Sequence, residues 1–364
     1  MKRDEQLPSA SGLTIAGRRI GPGEPPYIIA ELSANHNGSI ERALASIEAA
    51  KLAGADAIKI QSYTPDTITM DSDRPEFAIT SGPWAGRTLY ELYQEAHTPF
   101  EWHPALFAHA RDIGITLFST PFDFTAVDML EALGAPAYKI ASFELIDLPL
   151  IRRVARTGMP IIMSTGMASL EEIGEAVAAA REAGCRELAL LHCISSYPAP
   201  IETANLRTLD DLARRFGVTA GLSDHTLGTV VSVAAVAQGA ALIEKHFMLD
   251  RDDTGPDSAF SLTSEELGQL CRDTRIAWTA LGQVNYARAA VEEVSAVHRR
   301  SLYFTADIKA GEQITPLNLR SIRPGNGLAP RHYEELLGRR AARDILRGEP
   351  ASFDLIRLED GNDG

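Results

Sequence analysis

Residues 27–61 read YIIAELSANHNGSIERALASIEAAKLAGADAIKIQ. An apolar strand pattern over 27–32 runs into a polar turn. A helical stretch opens at Ser39 and stops at a glycine, and a second strand pattern follows over 56–61. A strand, a helix and a strand in that order specify a parallel pair covered by a helix. The unit recurs. Further strand patterns fall at 115–121, 137–142, 160–166, 188–195, 218–225 and 241–247, and amphipathic, Ala-rich stretches such as SLEEIGEAVAAAREAG lie between most of them. Eight such units predict a closed (β/α)8 TIM barrel. A doubly wound sheet is the rival, but it gives less reason for eight similar units.

One connection breaks the rhythm. Residues 62–100 are too long for a simple link, and they follow the second strand on the catalytic side of a barrel. We read them as a wall or lid over the site. The alternative is an excursion with its own small core on Trp84, Tyr90 and Tyr93. The pattern changes near residue 285. The expected organisation is a barrel domain over 1–285, a linker over 286–297, a compact β-rich domain over 298–358 and an acidic tail over 359–364.

The 364 residues are 45% hydrophobic, enough for a sizeable core, and carry a net charge of −14. That charge argues against broad nucleic-acid binding, which needs a basic face. Three cysteines without CxxC spacing fit a reducing compartment. No apolar leader and no run of apolar residues long enough for a membrane span is visible, so a cytoplasmic location is expected.

The strand ends are unusually polar. They carry Glu31, Lys59 with Gln61, Ser119 with Thr120, Lys139 with Ser142 and Glu144, and Ser164 with Thr165. The last three carry His192 with Ser195 and Ser196, then Ser223-Asp224-His225, then Glu244-Lys245-His246. Unpaired charges in a core cost several kcal/mol each, whereas charges ringed around a ligand do not. Lys59 and Lys139 both aim at the barrel centre and repel unless an anion sits between them. With Thr120, Ser142, Ser164 and Ser223 around them they predict a phosphate or phosphate-plus-carboxylate site. Pairing of each lysine with a core carboxylate such as Glu31 or Glu144 is the bland alternative, and a Schiff-base lysine is a third. His225 and His246 end adjacent strands and predict a shared metal of the Mn2+, Fe2+, Co2+ or Zn2+ kind. One general-base and one anion-binding histidine is the alternative. Glu31 is the residue for proton work, with Glu144 as its partner carboxylate. In the turn after Glu31, Asn35 and His36 divide evenly between substrate contact and loop support, and Gly38 allows the bend.

The stretches PYIIAELSANHNGS, LFSTPFD, YKIASFE, MSTGMAS, ISSYPAP, GLSDHTLG and EKHF together resemble the sialic acid synthase family. TSGPWAGRTLYELYQEAHTPFEWH, DRDDTGPDSAFSL and RRSLYFTADIKAGE resemble its pseudaminate branch. The resemblance spans about residues 26–356. It implies a TIM barrel followed by a small antifreeze-protein-like (SAF) domain in a domain-swapped homodimer. It also implies condensation of phosphoenolpyruvate with an N-acylated hexose, dependent on a divalent ion: Mn2+ first, Mg2+ or Co2+ otherwise. For this branch the sugar would be 2,4-diacetamido-2,4,6-trideoxy-L-altrose and the product pseudaminic acid.

Carried over residue by residue, the metal ligands fall on His225 and His246 and the catalytic carboxylates on Glu31 and Glu144. The phosphoenolpyruvate contacts fall on Lys59, Thr120, Lys139, Ser142, Ser164 and Ser223. Sugar contacts fall on Asn35, Ser195, Tyr197 and, from the small domain, Arg323. N-acetylneuraminate-forming members tend to have asparagine where this chain has Ser195, which weakens the case for N-acetylmannosamine. Legionaminate or N-acetylneuraminate synthesis is the first alternative. A Schiff-base pyruvate aldolase and a ligand-binding module without catalysis are the others.

Overall fold

The computed structural model describes residues 12–252 and 254–357. The acidic tail expected at 359–364 lies outside the described residues. The chain divides between Gly282 and Gln283 into two compact units, so the stretch expected as a linker falls within the second.

In the first unit eight parallel strands close into a barrel. They are β1 Tyr27–Glu31, β2 Ala57–Ser62, β3 Thr116–Pro121, β4 Tyr138–Ile140, β5 Ile161–Ser164, β6 Leu188–Cys193, β7 Thr219–Asp224 and β8 Leu242–His246. Each is followed by a helix of the outer ring. These are α1 Ile40–Ala53, α2 His103–Ile113, α3 Phe124–Ala132, α4 Leu148–Ala155, α5 Leu170–Glu182, α6 Thr208–Phe216, α7 Val230–Ala237 and α8 Ser264–Leu281. The ring shuts where β8 pairs β1, from Leu242 opposite Tyr27 to His246 opposite Glu31. All eight expected strands are present, and the barrel displaces the doubly wound alternative.

Strand alternation sorts the side chains. In β1, Tyr27 and Ile29 join the inner cluster with Phe118, Ile162, Leu191 and Leu242. Ile28 and Ala30, out of phase, pack under the helices. A hairpin of Leu13–Ile15 and Arg18–Ile20 adds Leu13, Ile15 and Ile20 to the inner cluster and stoppers its N-terminal end. Each fully buried Ile or Leu of this kind contributes about 1.5–3 kcal/mol. At Gly221 of β7 a Cβ would lie 2.5 Å from Leu242 O and 2.6 Å from Leu191 Cδ2, so only glycine fits that layer.

Local signals set the helix ends. Ser39 Oγ accepts from Arg42 N at 3.2 Å at the start of α1. Gly54 ends that helix in the left-handed region at φ 92°. Ser169 and Glu172 form a reciprocal cap on α5.

The second unit is small and β-rich. Its strands β9 Ser301–Phe304 and β10 Leu319–Ile322 pair antiparallel. Its own core gathers Leu302, Phe304, Ile308, Ile314, Leu336 and Ile345.

Candidate active site

The inner phase of the strands stays apolar at the stoppered end and turns polar at the C-terminal end. His246, Glu31 and Lys59 lie in register across β8, β1 and β2. Glu244, Ser223 and Cys193 do so across β8, β7 and β6. Lys59 Nζ reaches Glu31 Oε2 at 2.6 Å, Thr120 Oγ1 at 3.0 Å and Glu244 Oε1 at 3.6 Å. Lys139 Nζ shares Glu244 Oε1 at 3.3 Å. The two inward lysines therefore converge on one carboxylate. Pairing with a core carboxylate is realised by Glu31, as the bland alternative had it, but Glu244 takes the place suggested for Glu144.

The balance of charge is uneven. Burial opposes the Lys59 ammonium, but Glu244 and Glu31 outweigh it and raise its pKa. For Lys139, burial and the repulsion of Lys59 win over Glu244, and its pKa is lowered. Burial and then Glu244 raise the Glu31 carboxyl despite Lys59. Of the two inward lysines, Lys139 is thus the less compensated by the protein. Near its strand, on β5, Ser164 Oγ is buried without a hydrogen-bond partner. Glu144 Oε2, Glu244 Oε2 and His246 Nδ1 are buried and unpartnered as well. Each such atom costs about 1–3 kcal/mol until a ligand satisfies it. Ser142 Oγ accepts from Gly166 N at 3.1 Å. Gly166 has no room for a Cβ, which would press on the Ser142 and Ser195 hydroxyls.

His225 and His246 face each other with ring centroids 5.4 Å apart. His225 Nδ1 donates to Ile194 O at 2.9 Å, which leaves Nε2 for a metal once the ring is neutral; burial opposes charge on this ring, but Cys193 outweighs it and raises its pKa. Burial, then His225 and the lysines, hold His246 well below the usual histidine range, so it is the neutral imidazole that a metal needs. Asp257 Oδ2 stands 3.6 Å from His246 Nδ1. Among the described residues no group of three or more His, Cys, Asp or Glu side chains is gathered for a metal. Two imidazoles with free nitrogens, one orphaned, fit a divalent ion that takes its remaining ligands elsewhere.

The turn after β1 answers for the polar AELSANHNG stretch. Ser33 and Asn37 sit in the left-handed region at φ 45° and 47°, a conformation that costs non-glycine residues roughly 1 kcal/mol or more. Asn35 holds the turn there, donating from Nδ2 to Phe247 O at 2.8 Å and Ser261 Oγ at 2.9 Å. His36 is fully buried edge-on to Trp102, its Nδ1 accepting from Gly38 N. Both side chains brace the loop by these contacts. Ser195 and Tyr197 line the mouth, Tyr197 with its ring 4.4 Å from that of His225. Arg323 belongs to the second unit and is exposed there.

Not every polar strand end belongs to the site. Ser119, His192, Asp224 and Lys245 fall in the outer phase. Ser119 Oγ and His103 Nε2 bond Ser62 Oγ at 2.6 and 2.7 Å. His192 Nε2 bonds Ala204 O at 2.8 Å. Lys245 pairs with Asp224 at 3.0 Å, both fully buried. Sequence reasoning gave no role to several groups that do converge on the mouth. Gln61 Nε2 donates to Glu31 Oε1 at 2.9 Å and Ser33 Oγ at 3.0 Å. Glu244 bridges the lysines, and Cys193 Sγ lies 3.8 Å from His225 Nδ1. Phase would have found all three, since each is an even number of residues from an inward neighbour. Asp257, from the β8–α8 connection, has no local signal.

This is a TIM barrel whose open end holds a lysine-paired acidic cluster beside two imidazoles, and the comparisons agree on its class. Residues 46–286 match the NeuB family, and residues 299–357 match the SAF domain. The chain belongs to the NeuB family of sialic-acid-type synthases. It is 47% identical over 323 residues to the pseudaminic acid synthase of Campylobacter jejuni, covering 89% of this chain and 94% of that protein. It is 42% identical over 334 residues to the pseudaminic acid synthase of Helicobacter pylori, covering 92% and 98%. Among solved structures, the N-acetylneuraminic acid synthetase of Leptospira borgpetersenii, in complex with citrate, superposes with a TM-score of 0.71 at 31% identity, covering 79% of this chain and 96% of that one.

Proposed function

We propose that this chain condenses phosphoenolpyruvate with 2,4-diacetamido-2,4,6-trideoxy-L-altrose and water, giving pseudaminic acid and phosphate by C–O cleavage. The observation that carries the reading is the pair of inward lysines on β2 and β4, one of them undercompensated, beside the two facing imidazoles. The similarity to pseudaminic acid synthases supports the choice of sugar.

Enol C3 of phosphoenolpyruvate attacks the aldehyde carbon of the open-chain sugar. Water adds at the electron-poor C2, one of its protons goes to the new alkoxide, and the tetrahedral adduct expels phosphate. His225 and His246 would hold a divalent ion, which would supply Lewis-acid polarisation of a carbonyl oxygen. Lys59 and Lys139 hold the phosphate and carboxylate, with Ser164 and Ser142 donating around them. Glu31 guides the added water, with Gln61 fixing its carboxylate. Juxtaposing both substrates removes much of the entropic barrier.

Burial raises the Glu144 carboxyl to about 7. As the partner carboxylate it acts only when ionised, so kcat is expected to rise with pH through that value. Glu144→Gln should flatten that limb; an unchanged profile would refute the role. The sign for stability is the reverse. The folded carboxyl keeps its proton more tightly than the unfolded chain does. Its contribution is therefore full below 4.5 and lost as pH rises through about 7.

We propose a homodimer in which Arg323 of one copy reaches the barrel mouth of the other, as the resemblance implies. Phe143, Ile146, Met167, Ile201 and Leu227, on successive connections at the open end of the barrel, are exposed and apolar, which supports a covered face. Arg323→Ala is expected to raise the sugar KM more than that of phosphoenolpyruvate, and an unchanged sugar KM in a folded variant would refute the contact.

The deciding assay is phosphate release with phosphoenolpyruvate and each of three hexoses, those for pseudaminate, legionaminate and N-acetylneuraminate, with and without EDTA, followed by NMR of the product. Release with a clear preference for the first sugar, abolished by EDTA, is expected. Borohydride trapping of a pyruvate adduct, indifferent to EDTA, would favour the Schiff-base aldolase.

A further inference from the structure

The insertion over 62–100 does not fold on a core of its own. Near β2, Tyr63 packs edge-on to Tyr93, at 5.6 Å, and to Phe122, at 5.1 Å. Tyr93 lies on a helix, Leu89–Ala96, capped reciprocally by Thr88 and Glu91. Just before this helix the chain doubles back in a tight ladder. Ile79 N donates to Arg87 O at 2.8 Å and Gly86 N to Ile79 O at 2.9 Å. The tip of this ladder carries Trp84 to the far side of the mouth. Its Nε1 donates to Pro256 O at 2.9 Å, on the connection after β8. Its ring leans on Tyr197, on the connection after β6, with centroids 5.8 Å apart. Tyr197 in turn packs on His225 and, at 5.0 Å, on Phe260. One segment thus roofs the site from β2 across to β6 and β8. Its tip residue is half-buried, with an apolar face joined to the aromatic surface beside the imidazoles.

We propose that Trp84 is a specificity-determining residue, forming with Tyr197 the apolar wall against which the acylated hexose packs. The proposal rests on the synthase reading above. The physical grounds are chemical complementarity. The floor of the mouth is charged and serves anions and hydroxyls. The hexose of that reading also carries two acetyl methyls and a deoxy carbon, which gain nothing from those groups. An indole has a broad apolar face and one polar handle, and here the handle is spent on Pro256 O, which holds the ring against Tyr197. Apolar walls discriminate by about 10–200-fold per methyl or methylene, enough to rank related hexoses.

The test uses the full-length chain with metal. Phosphate release is measured for Trp84→Ala and Trp84→Phe against the diacetamido-trideoxy hexose and against N-acetylmannosamine. Trp84→Ala is expected to lower kcat/KM for the diacetamido sugar about 10–100-fold, chiefly through sugar KM. The KM for phosphoenolpyruvate stays within about twofold, and the preference between sugars narrows. Trp84→Phe keeps an apolar ring and should retain most of that preference. In parallel, hexose should change the intrinsic fluorescence of the wild-type chain and leave Trp84→Phe, which still holds Trp102 and Trp278, unchanged. Equal losses on both sugars, a parallel rise in phosphoenolpyruvate KM, or a fluorescence response that survives in Trp84→Phe would overturn the proposal. Should Trp84→Ala fail to fold, Trp84→Phe and its fluorescence decide. A wild-type chain that releases no phosphate with any hexose sinks the synthase reading instead, and the fluorescence titration then judges Trp84 alone.

Discussion

Glu31→Gln is expected to leave a folded barrel that releases phosphate about 10²–10⁴-fold more slowly, the range for removing a positioned acid or base. The substitution keeps the shape and the hydrogen bond from Gln61, because an amide oxygen also accepts. It removes the charge that meets Lys59 at 2.6 Å and the capacity to move a proton. The loss should fall on kcat. A loss confined to the KM for phosphoenolpyruvate would mean that Glu31 serves only to hold Lys59, and unchanged turnover would remove it from the chemistry. Circular dichroism and thermal melting of the same variant separate these outcomes from misfolding.

Lys245→Met is expected to cost about 3–5 kcal/mol of stability, the penalty for stranding one partner of a buried ion pair. Lys245 Nζ pairs with Asp224 Oδ2 at 3.0 Å and donates to Thr226 O at 2.5 Å. Asp224 also accepts from Thr226 N at 2.9 Å and Ser232 Oγ at 2.6 Å, so its charge is held in place with nowhere to go. In a barrel of this size the melting temperature should fall on the order of 10 °C. Adding Asp224→Asn should recover part of the loss, since it removes the stranded charge. A single variant that melts with the wild type would show that the pair contributes nothing.

These two lysines, Lys59 and Lys245, mark how far the sequence could be read. Both sit late in an apolar strand and look alike in a one-dimensional pattern. Counting along each strand from Ala57 and from Leu242, both in the inner cluster, separates them, because the side chains of a strand alternate with period two. Lys59 and Glu244 fall inside the barrel, Lys245 outside. The same count would have moved Ser119, His192 and Asp224 from the site to the helix-facing layer, where the structure places them. Trp84 and Asp257 had no such signal. Each reaches the mouth from a long connection, and the position of a loop depends on what it finally packs against.

The chain's own pattern therefore determined the eight strands, the helices between them and the polarity of the open end, since alternation, capping residues and apolar runs act over a few neighbours. Only the tertiary structure decided that Glu244 holds both lysines, that Asn35 and His36 brace a turn, and that Trp84 lies against Tyr197. Those contacts join residues from tens to more than two hundred positions apart, brought together by closure of the barrel and by packing across its mouth.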